Sequence, residues 1–290
     1  MRSDFRVAVI SDEITQDFDR GLSIIARDFG LEWVELRTLW NKNIMLLDAA
    51  EIASARALLE KYKLRVTDVA SPLFKCDFRG APPSNAPKDR FGADFTYEQQ
   101  DEVLERALEL CRAFNTDRLR GFDFWRIQDP APFRAAMDAK LNEAAERAAK
   151  KGVILILENE HACNTATADE AVRTLNAVRS PNFKLNWDPG NAARIGDLPF
   201  PDGYKKLPKD RIGHVHCKDV LQKPGGERDW APMNGGLVDW LGQFRALKRD
   251  GYRLAVSLET HWRGAGTPEE STRQSWAGMR ELLIKAGAAS

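Results

Sequence analysis

Four polar residues stand where apolar, strand-like segments end in the second half of this 290-residue chain. They are Glu158 in LENEH, Asp188 in NWDPGN, His216 in HVHCKD and Glu259 in SLETH. Three carboxylates that converge without a cation would repel one another and raise each other's pKa values, and a divalent metal ion removes that repulsion. An oxygen-rich set with one imidazole favours Mn²⁺, Mg²⁺ or Co²⁺, of which we expect Mn²⁺ first, and Zn²⁺ is a further alternative that usually takes more nitrogen or sulfur. The pattern therefore predicts one divalent ion held by these four residues.

The segments that carry these residues belong to a regular alternation of strands and helices. Eight short, mostly apolar runs are predicted as strands: Val7–Ile10, Trp33–Leu36, Val66–Ala70, Arg118–Phe124, Val153–Leu157, Phe183–Trp187, Ile212–Cys217 and Leu254–Leu258. The stretches between them have apolar residues at three- and four-residue spacing, which is typical of amphipathic helices. This alternation predicts an α/β fold, a single (β/α)₈ TIM barrel over residues 1–290. In such a barrel, polar groups at the carboxyl ends of the strands point into the active site, so the four residues should meet.

Start and stop signals support the predicted helices. Asp17, Asp48, Thr96 and Thr167 each precede a helical segment, as N-cap residues do. The segments are Phe18–Phe29, Ala49–Tyr62, Tyr97–Phe114, Pro132–Lys150, Ala168–Val178, Val238–Leu247 and Glu269–Lys285. Three prolines between residues 191 and 208 predict a short or irregular sixth helix. No GxGxxG follows the first strand, which argues against an open dinucleotide-binding sheet.

Two long segments are expected to form loops over the mouth of the barrel. Arg79–Asp94 is rich in proline, glycine and asparagine and follows the third strand, and Leu221–Asn234 follows the seventh. Long loops on this side of a barrel often form lids and substrate walls, although a plain surface insertion is the alternative. Trp230 lies in the second loop, where its indole can stack on the apolar face of a sugar.

Composition limits the classes of function. Lys and Arg together number 43, as do Asp and Glu, so the zero net charge gives no support to a nucleic-acid partner. The four cysteines form no CxxC pair, which favours a reduced compartment over a zinc ribbon or a dithiol motif. The N-terminus lacks the apolar core of a signal peptide, and the longest apolar run, Val153–Leu157, is too short to span a membrane. We therefore expect a cytoplasmic protein with neither a membrane nor a nucleic-acid partner.

The motifs resemble those of a known superfamily. LENEH, WDPGN, HVHCKD and SLET in this order, with VISDEIT near the start and ELR at the end of the second strand, are similar to motifs of the sugar-phosphate isomerase/epimerase superfamily of xylose-isomerase-like barrels. Its members include ketose 3-epimerases of the tagatose type and inosose dehydratases. The resemblance implies metal ligands at Glu158, Asp188, His216 and Glu259, a carbohydrate substrate, and a homodimer or homotetramer. It also implies that Glu158 and Glu259 flank the substrate, one removing a proton beside the metal-bound carbonyl and the other returning one.

Further polar residues in the mouth-side segments are candidates for binding the substrate. They are Glu35, Arg37, Arg120, Glu160, His161, Asn191, Lys218 and Trp230. Glu35 is a candidate for a hydrogen bond to a hydroxyl, and Lys218 for one to a hydroxyl or an oxyanion. For each charged residue, a structural salt bridge explains the sequence equally well. His214 lies deeper in the seventh strand and is interpreted as a histidine of the core that supports the site.

The sequence leaves the reaction open. The ketose 3-epimerases carry a histidine three residues after the strand-six aspartate, where this chain has Asn191. Isomerisation or epimerisation of a ketose is the first hypothesis, and a lyase reaction, inosose dehydration or elimination from a 3-keto-glycoside, is the second. Nucleases of the superfamily need a histidine-rich site for three zinc ions, which four histidines do not supply. A sugar-binding module without catalysis would not need two metal-bound glutamates, and phosphorylation of the substrate is left open.

Overall fold

The computed structural model describes residues 2–85 and 93–290, and its centre is a parallel sheet of eight strands. These strands are β1 (Arg6–Val9), β2 (Trp33–Leu36), β3 (Arg65–Leu73), β4 (Arg118–Gly121), β5 (Ile154–Glu158), β6 (Phe183–Trp187), β7 (Ile212–Cys217) and β8 (Ala255–Leu258). The sheet runs from β1 through β8, β7, β6, β5, β4 and β3 to β2. A parallel bridge between Ile10 and Glu35 then joins β1 to β2 and nearly closes the sheet on itself. This is a (β/α)₈ barrel, as the sequence pattern predicted.

Helices surround the barrel. They are α1 (Phe18–Ser23), α2 (Ala49–Tyr62), α3 (Gln100–Ala113), α4 (Arg134–Ala149), α5 (Ala168–Ala177), α6 (Pro189–Arg194), α7 (Tyr204–Lys206), α8 (Trp240–Arg249) and α9 (Pro268–Lys285). The side chains of Asp17, Asp48 and Thr167 each accept a hydrogen bond from a backbone N–H of the first turn, as N-caps do. Thus α1, α2 and α5 begin at the expected caps, whereas Thr96 precedes a 3₁₀ turn, Tyr97–Gln99, that leads into α3. The proline-rich region is broken, as expected, into α6, an irregular turn at Pro199–Gly203 and the three-residue α7.

Alternation along the strands separates the apolar core from the site. Trp187 at the end of β6 is fully buried against the helices, where its indole N–H donates to the Gln243 side chain of α8. Successive side chains of a strand point to opposite faces, so Asp188 turns toward the barrel axis. On β7 the same alternation directs His214 and His216 inward while Val215 faces the helices. The apolar run thus anchors each strand, and its polar end enters the mouth.

The mouth-side segment after β7 differs from the loop that the sequence suggested. Asp219–Gln222 pairs antiparallel with Arg228–Ala231, so much of Leu221–Asn234 is a hairpin. Gly225 and Gly226 make its turn at φ values of 99° and 92°, which glycine adopts without the clash of a Cβ. A smaller hairpin, Thr38–Leu39 with Lys42–Asn43, follows β2. In the other predicted loop, Arg79–Asp94, residues 86–92 lie outside the described residues.

Two negative findings apply to the described residues 2–85 and 93–290. No helix there has the length and apolarity needed to cross a membrane. All four cysteines are buried and carry free thiols, so no disulfide contributes to this part of the fold.

Candidate functional site

The four residues predicted to bind a metal come together at the carboxyl end of the barrel. Glu158 ends β5, Asp188 follows β6, His216 lies in β7 and Glu259 follows β8. One potential ligand atom from each lies within 4.8 Å of the others, and no side chain of the four is more than 2% exposed. His216 Nδ1 is 3.2 Å from Glu259 Oε2, 3.4 Å from Glu158 Oε1 and 3.8 Å from Asp188 Oδ2. The structure therefore contains a buried cluster of three carboxylates around one imidazole nitrogen.

The orientation of His216 suits a cation. Its Nε2 lies 2.9 Å from Glu35 Oε1, and Glu35 Oε2 lies 3.2 Å from His214 Nε2. Within the described residues, His216 Nδ1 forms no hydrogen bond of good geometry despite the carboxylate oxygens around it. When Nε2 carries the proton toward Glu35, Nδ1 presents a lone pair to the three carboxylates, as metal-bound histidines do. These residues fit a divalent ion, and together they can hold one.

Two buried arginines fix the two glutamates of the cluster. Arg120 Nη1 donates to Glu158 Oε2 at 3.1 Å, and Arg37 Nη1 donates to Glu259 Oε1 at 2.6 Å. Both arginines are 2% exposed. Each one occupies a single oxygen of its glutamate, so the other oxygen remains directed toward His216 Nδ1. This arrangement favours one oxygen from each glutamate as a ligand.

Asp188 is held by the start of α6. Its Oδ1 accepts from the backbone N–H of Asn191 at 2.8 Å and caps the helix, which leaves Oδ2 for the cluster. The Asn191 amide nitrogen lies 3.0 Å from Asp188 Oδ2 and 3.1 Å from Glu158 Oε1. Asn159 supports the same loop, because its side chain accepts from the Asp188 N–H and donates to the Asp188 carbonyl. Asn191 is fully buried, so its amide contacts the candidate ligands rather than an open cavity.

Lys218 places its ammonium against the same carboxylates. Its Nζ lies 2.5 Å from Glu259 Oε2 and 2.9 Å from Asp188 Oδ2. Gly190 makes this approach feasible, because a Cβ there would lie 2.4 Å from Lys218 Cγ and 2.8 Å from its carbonyl oxygen. An alanine at position 190 would therefore push the lysine out of the cluster.

Buried charges of both signs crowd the site. The three carboxylates of the cluster and those of Glu35 and Glu160 beside it face the buried cations Arg37, Arg120, Lys218 and Lys75. His216 adds positive charge when it is protonated, because nearby carboxylates hold the pKa of its imidazole well above the usual value. Buried carboxylates are costly without a counter-charge, and a divalent cation would replace the charge of the proton on His216.

The rim of the site carries aromatic and imidazole rings. Trp230 on the hairpin after β7 lies between His161 and His261, with ring centroids 5.9 and 5.3 Å away, and Lys218 Nζ is 5.2 Å from its ring. His161 Nδ1 lies 2.9 Å from Glu160 Oε1. Trp230 therefore covers the lysine side of the cluster, and the partly exposed His161 stands next to it.

The predicted substrate-binding residues fall into two groups according to their positions in the structure. Glu160, His161 and Trp230 lie at or next to the rim, where a substrate would enter, whereas Lys218 is fully buried beneath Trp230 and contacts the candidate ligands. The others, Glu35, Arg37, Arg120 and Asn191, are at most 2% exposed and contact the candidate ligands. For these four we propose a role in positioning the ligands in place of the expected contact with substrate.

Three residues join the site that were not selected from the sequence. Arg37 also binds Asp12 Oδ2 at 2.8 Å and Glu13 Oε1 at 2.7 Å through its Nη2. His261 Nδ1 lies 3.1 Å from Glu13 Oε1, and its Nε2 lies 3.4 Å from Glu259 Oε1. The feature that identified the four ligands, a polar residue at or just after the end of a strand, also applies to these three residues. Asp12 and Glu13 follow the first strand, and His261 comes two residues after Glu259.

Both glutamates are ionised near neutral pH. Burial by itself raises the pKa of Glu158, but the charges of His216 and Arg120 outweigh it, so the pKa lies below its usual value. Burial also opposes ionisation of Glu259, yet Lys218, His261 and His216 hold its pKa well below the usual range. A carboxylate in this state can accept a proton from a substrate.

Metal affinity is expected to rise with pH, most steeply below about pH 6, where Asp188 and His216 both carry protons, and still above about pH 7, where His216 keeps its proton. Burial raises the pKa of Asp188 to about 6. Burial opposes charge on His216, but Glu35, Glu158 and Glu259 outweigh it and hold the pKa of the imidazole well above its usual value. Metal binding must expel these protons, so each one released strengthens affinity by about tenfold per pH unit. Calorimetric titration with Mn²⁺ in two buffers of different ionisation enthalpy measures the metal affinity and the number of protons released on binding. An affinity independent of pH would contradict this expectation.

Comparison with protein families agrees with the fold. Residues 24–282 match the family model of the xylose isomerase-like TIM barrels. SgbU of Escherichia coli K12, whose name carries a provisional assignment as an L-ribulose-5-phosphate 3-epimerase, is 28% identical over 66% of this chain and 68% of its own. The L-ribulose-5-phosphate 3-epimerase UlaE of Escherichia coli K12 is 25% identical over 64% of each chain. The aligned region thus spans slightly less than two thirds of UlaE.

Solved structures with low sequence identity share the fold. The IOLI protein with a bound zinc atom superimposes with a TM-score of 0.75 at 16% identity, covering 97% of this chain and 99% of that one. A xylose isomerase-like TIM barrel protein from Mycobacterium smegmatis in complex with magnesium gives 0.70 at 16%, covering 99% and 100%. A D-allulose 3-epimerase from Methylomonas sp. gives 0.68 at 20%, covering 98% and 99%.

Proposed function

Because the chain belongs to the xylose isomerase-like TIM barrel family, we propose that it is a metal-dependent sugar isomerase or epimerase. The reaction would begin with removal of a proton from the carbon next to the carbonyl of a ketose or a related carbohydrate. Its curated relatives are named as 3-epimerases of a ketose phosphate, which supports this reaction class.

One observation carries the proposal. Two glutamates on different strands, Glu158 and Glu259, each direct one oxygen to the same imidazole nitrogen, and a buried arginine holds the other oxygen. Epimerisation needs one group to take a proton and a second to return one to the opposite face. Two carboxylates held in fixed orientations around one centre support that pairing, in which one takes a proton from the substrate and the other carries one from solvent to the opposite face.

The proposed metal ligands are Glu158, Asp188, His216 and Glu259, and we propose Mn²⁺ as the ion because the donor set is rich in oxygen. When bound, the ion would polarise the substrate carbonyl and stabilise negative charge on its oxygen. Glu158 would accept the proton from the adjacent carbon. Glu259, which is ionised in the resting site, would take a proton from solvent and deliver it to the opposite face of that carbon. The Lys218 ammonium would donate a hydrogen bond to an oxygen of the substrate.

We propose a ketopentose or its phosphate ester as the first substrate class to test, since the relatives are named for L-ribulose 5-phosphate. Glu160, His161 and Trp230 lie where the hydroxyls and the apolar face of a sugar would meet the rim. The four free thiols fit a reducing compartment, and we propose the cytoplasm. A homodimer or homotetramer remains a prediction.

A lyase reaction at the same centre is the second candidate, and the Glu160–His161 pair favours it. Loss of a hydroxyl from the next carbon requires an acid that protonates the leaving oxygen. His161 is partly exposed at the rim, and Glu160 holds its Nδ1, so its other ring nitrogen can act toward a substrate. Burial opposes charge on His161, but the Glu160 carboxylate and the hydrogen bond to Asn191 outweigh it and raise the pKa of the imidazole, which favours the acid form.

Isotope exchange separates the two reactions. The protein loaded with Mn²⁺ would be incubated in D₂O with ketopentoses, their phosphates, inososes and 3-keto-glycosides, and followed by NMR. We expect deuterium at the carbon next to the carbonyl of a ketose, together with its epimer or isomer. Loss of water or of an aglycone would show a lyase instead, and no exchange with any of these compounds would refute the proposed proton abstraction. Protein stripped of metal is the control.

A further inference from the structure

The barrel has a weak junction between β1 and β2. Within the described residues, these two strands are joined by a single bridge, Ile10 with Glu35, whereas β1 pairs with β8 at four successive positions. The junction of β4 and β5 also has four paired positions, from Arg118–Ile154 to Gly121–Leu157. A junction with one bridge has less backbone hydrogen bonding to resist opening than its neighbours have. We call this junction the β1–β2 seam.

Two side chains cross this seam into the candidate metal centre, that of Glu35 in β2 and that of Arg37 directly after β2. Glu35 reaches over the barrel interior to His216 Nε2 at 2.9 Å, and β7 lies two strands beyond β1 in the sheet. Arg37 reaches Glu259 Oε1, after β8, at 2.6 Å. Both side chains are buried, and both bind candidate ligands on the far side of the seam.

Arg37 also fastens the segment that follows β1. Its Nε and Nη2 donate to Asp12 Oδ2 at 3.0 and 2.8 Å, and its Nη2 donates to Glu13 Oε1 at 2.7 Å. The Glu13 carbonyl in turn accepts from Thr272 of α9 at 2.7 Å. One guanidinium therefore holds together the ends of β1, β2 and β8, directly above the single bridge.

We propose that Glu35 and Arg37 are positioning residues that couple metal binding to closure of the β1–β2 seam. This inference rests on the proposed metal site. If the seam opens, β2 withdraws the carboxylate behind His216 and the guanidinium behind Glu259, and two of the four ligands lose their orientation. By linkage, a metal that requires these ligands in place must stabilise the closed seam.

The coupling has a measurable size. Bound metal lowers the population of open states that release it by a factor equal to the free metal concentration divided by its dissociation constant. At a 100-fold excess over that constant, the factor is about 100. Amide hydrogen exchange through such openings should slow by the same factor. We expect Mn²⁺ to slow exchange in the peptides that cover β1 and β2 by at least about tenfold, although β2 contributes no proposed ligand.

Hydrogen–deuterium exchange measured by mass spectrometry, with and without Mn²⁺, tests this inference. In Arg37→Met the effect of Mn²⁺ on β2 should fall below about twofold, while peptides of β5 and β6 remain protected. Arg120→Met is the matched control, because it removes the guanidinium behind the other glutamate at a fully paired junction. With Mn²⁺ set to the same multiple of each variant's own dissociation constant, it should leave the protection of β2 by Mn²⁺ unchanged.

The outcomes separate the inference from the proposed function. Binding of Mn²⁺ to the wild-type protein without protection of β2 would overturn the inference alone, and this result needs no variant. Equal loss of β2 protection in the Arg37 and Arg120 variants would also overturn it. A protein that binds no divalent ion would overturn the proposed metal site and the coupling together.

Discussion

Glutamine at position 158 is expected to lower the rate of substrate proton exchange by about 10³-fold, the typical contribution of a general base. The Glu158 side chain directs Oε1 toward His216 Nδ1 and is ionised near neutral pH. An amide has nearly the same shape and can still accept from Arg120, but it cannot take up the proton. The same change at Glu259 should allow the first proton to leave and prevent its return on the opposite face, so epimer formation should fall more than exchange does.

The rate of deuterium uptake from D₂O and the bound Mn²⁺ must be measured on the same samples. Glu105→Gln is a suitable control, because it makes the same chemical change far from the site. Glu105 pairs with Arg147 on the outer helices. If Glu158→Gln binds Mn²⁺ and retains more than about a tenth of the exchange rate, Glu158 is not the base.

Asparagine at position 188 is expected to weaken Mn²⁺ binding by more than about 100-fold and to abolish turnover. Changes to residues that only support a ligand cost about 10- to 100-fold in affinity, so loss of a charged ligand should cost more. Asn is as good a helix cap as Asp, so α6 should keep the hydrogen bond that Asp188 Oδ1 accepts from Asn191. Because burial raises the pKa of Asp188 to about 6, its charge is costly, and the metal-free variant should unfold at the same urea concentration or a higher one.

A matched variant exists for this prediction. Asp48 caps α2 and accepts from the Glu51 N–H at 2.8 Å, outside the site. Asp48→Asn should leave Mn²⁺ affinity unchanged, and calorimetric titration of both variants makes the comparison. Equal Mn²⁺ affinity in Asp188→Asn and the wild-type protein would remove Asp188 from the ligand set.

The bounds of several strands, and the approach of the four candidate ligands, could be predicted from short stretches of sequence. Trp33–Leu36, Phe183–Trp187 and Ile212–Cys217 were predicted with the bounds that the structure shows, because each apolar run ends at a polar or turn residue. The parallel barrel then forces their carboxyl ends together, so Asp188 and His216 had to approach one another.

The partners of the buried charges could not be predicted in the same way. Arg37 ends β2, and its carboxylate partners come from the segment after β1 and from the far end of the chain, at Glu259. Nothing local in the sequence specifies which acid each arginine binds, since that choice depends on the closure and register of the barrel. The hairpin after β7 was missed for another reason, because its polar turn around Gly225 resembles an irregular loop.

Anomalous X-ray diffraction from crystals grown with Mn²⁺ tests the central claim most directly. We expect one strong anomalous peak at about 2.0–2.3 Å from an oxygen of Glu158, Asp188 and Glu259 and from Nδ1 of His216, the usual range for such ligands. Two other groups of residues in the described chain can also gather around an ion: Glu35, His214 and His216, all buried, and Glu13, Glu259 and the partly exposed His261. A peak at either of those groups, or none within reach of Asp188, would contradict the proposed metal centre.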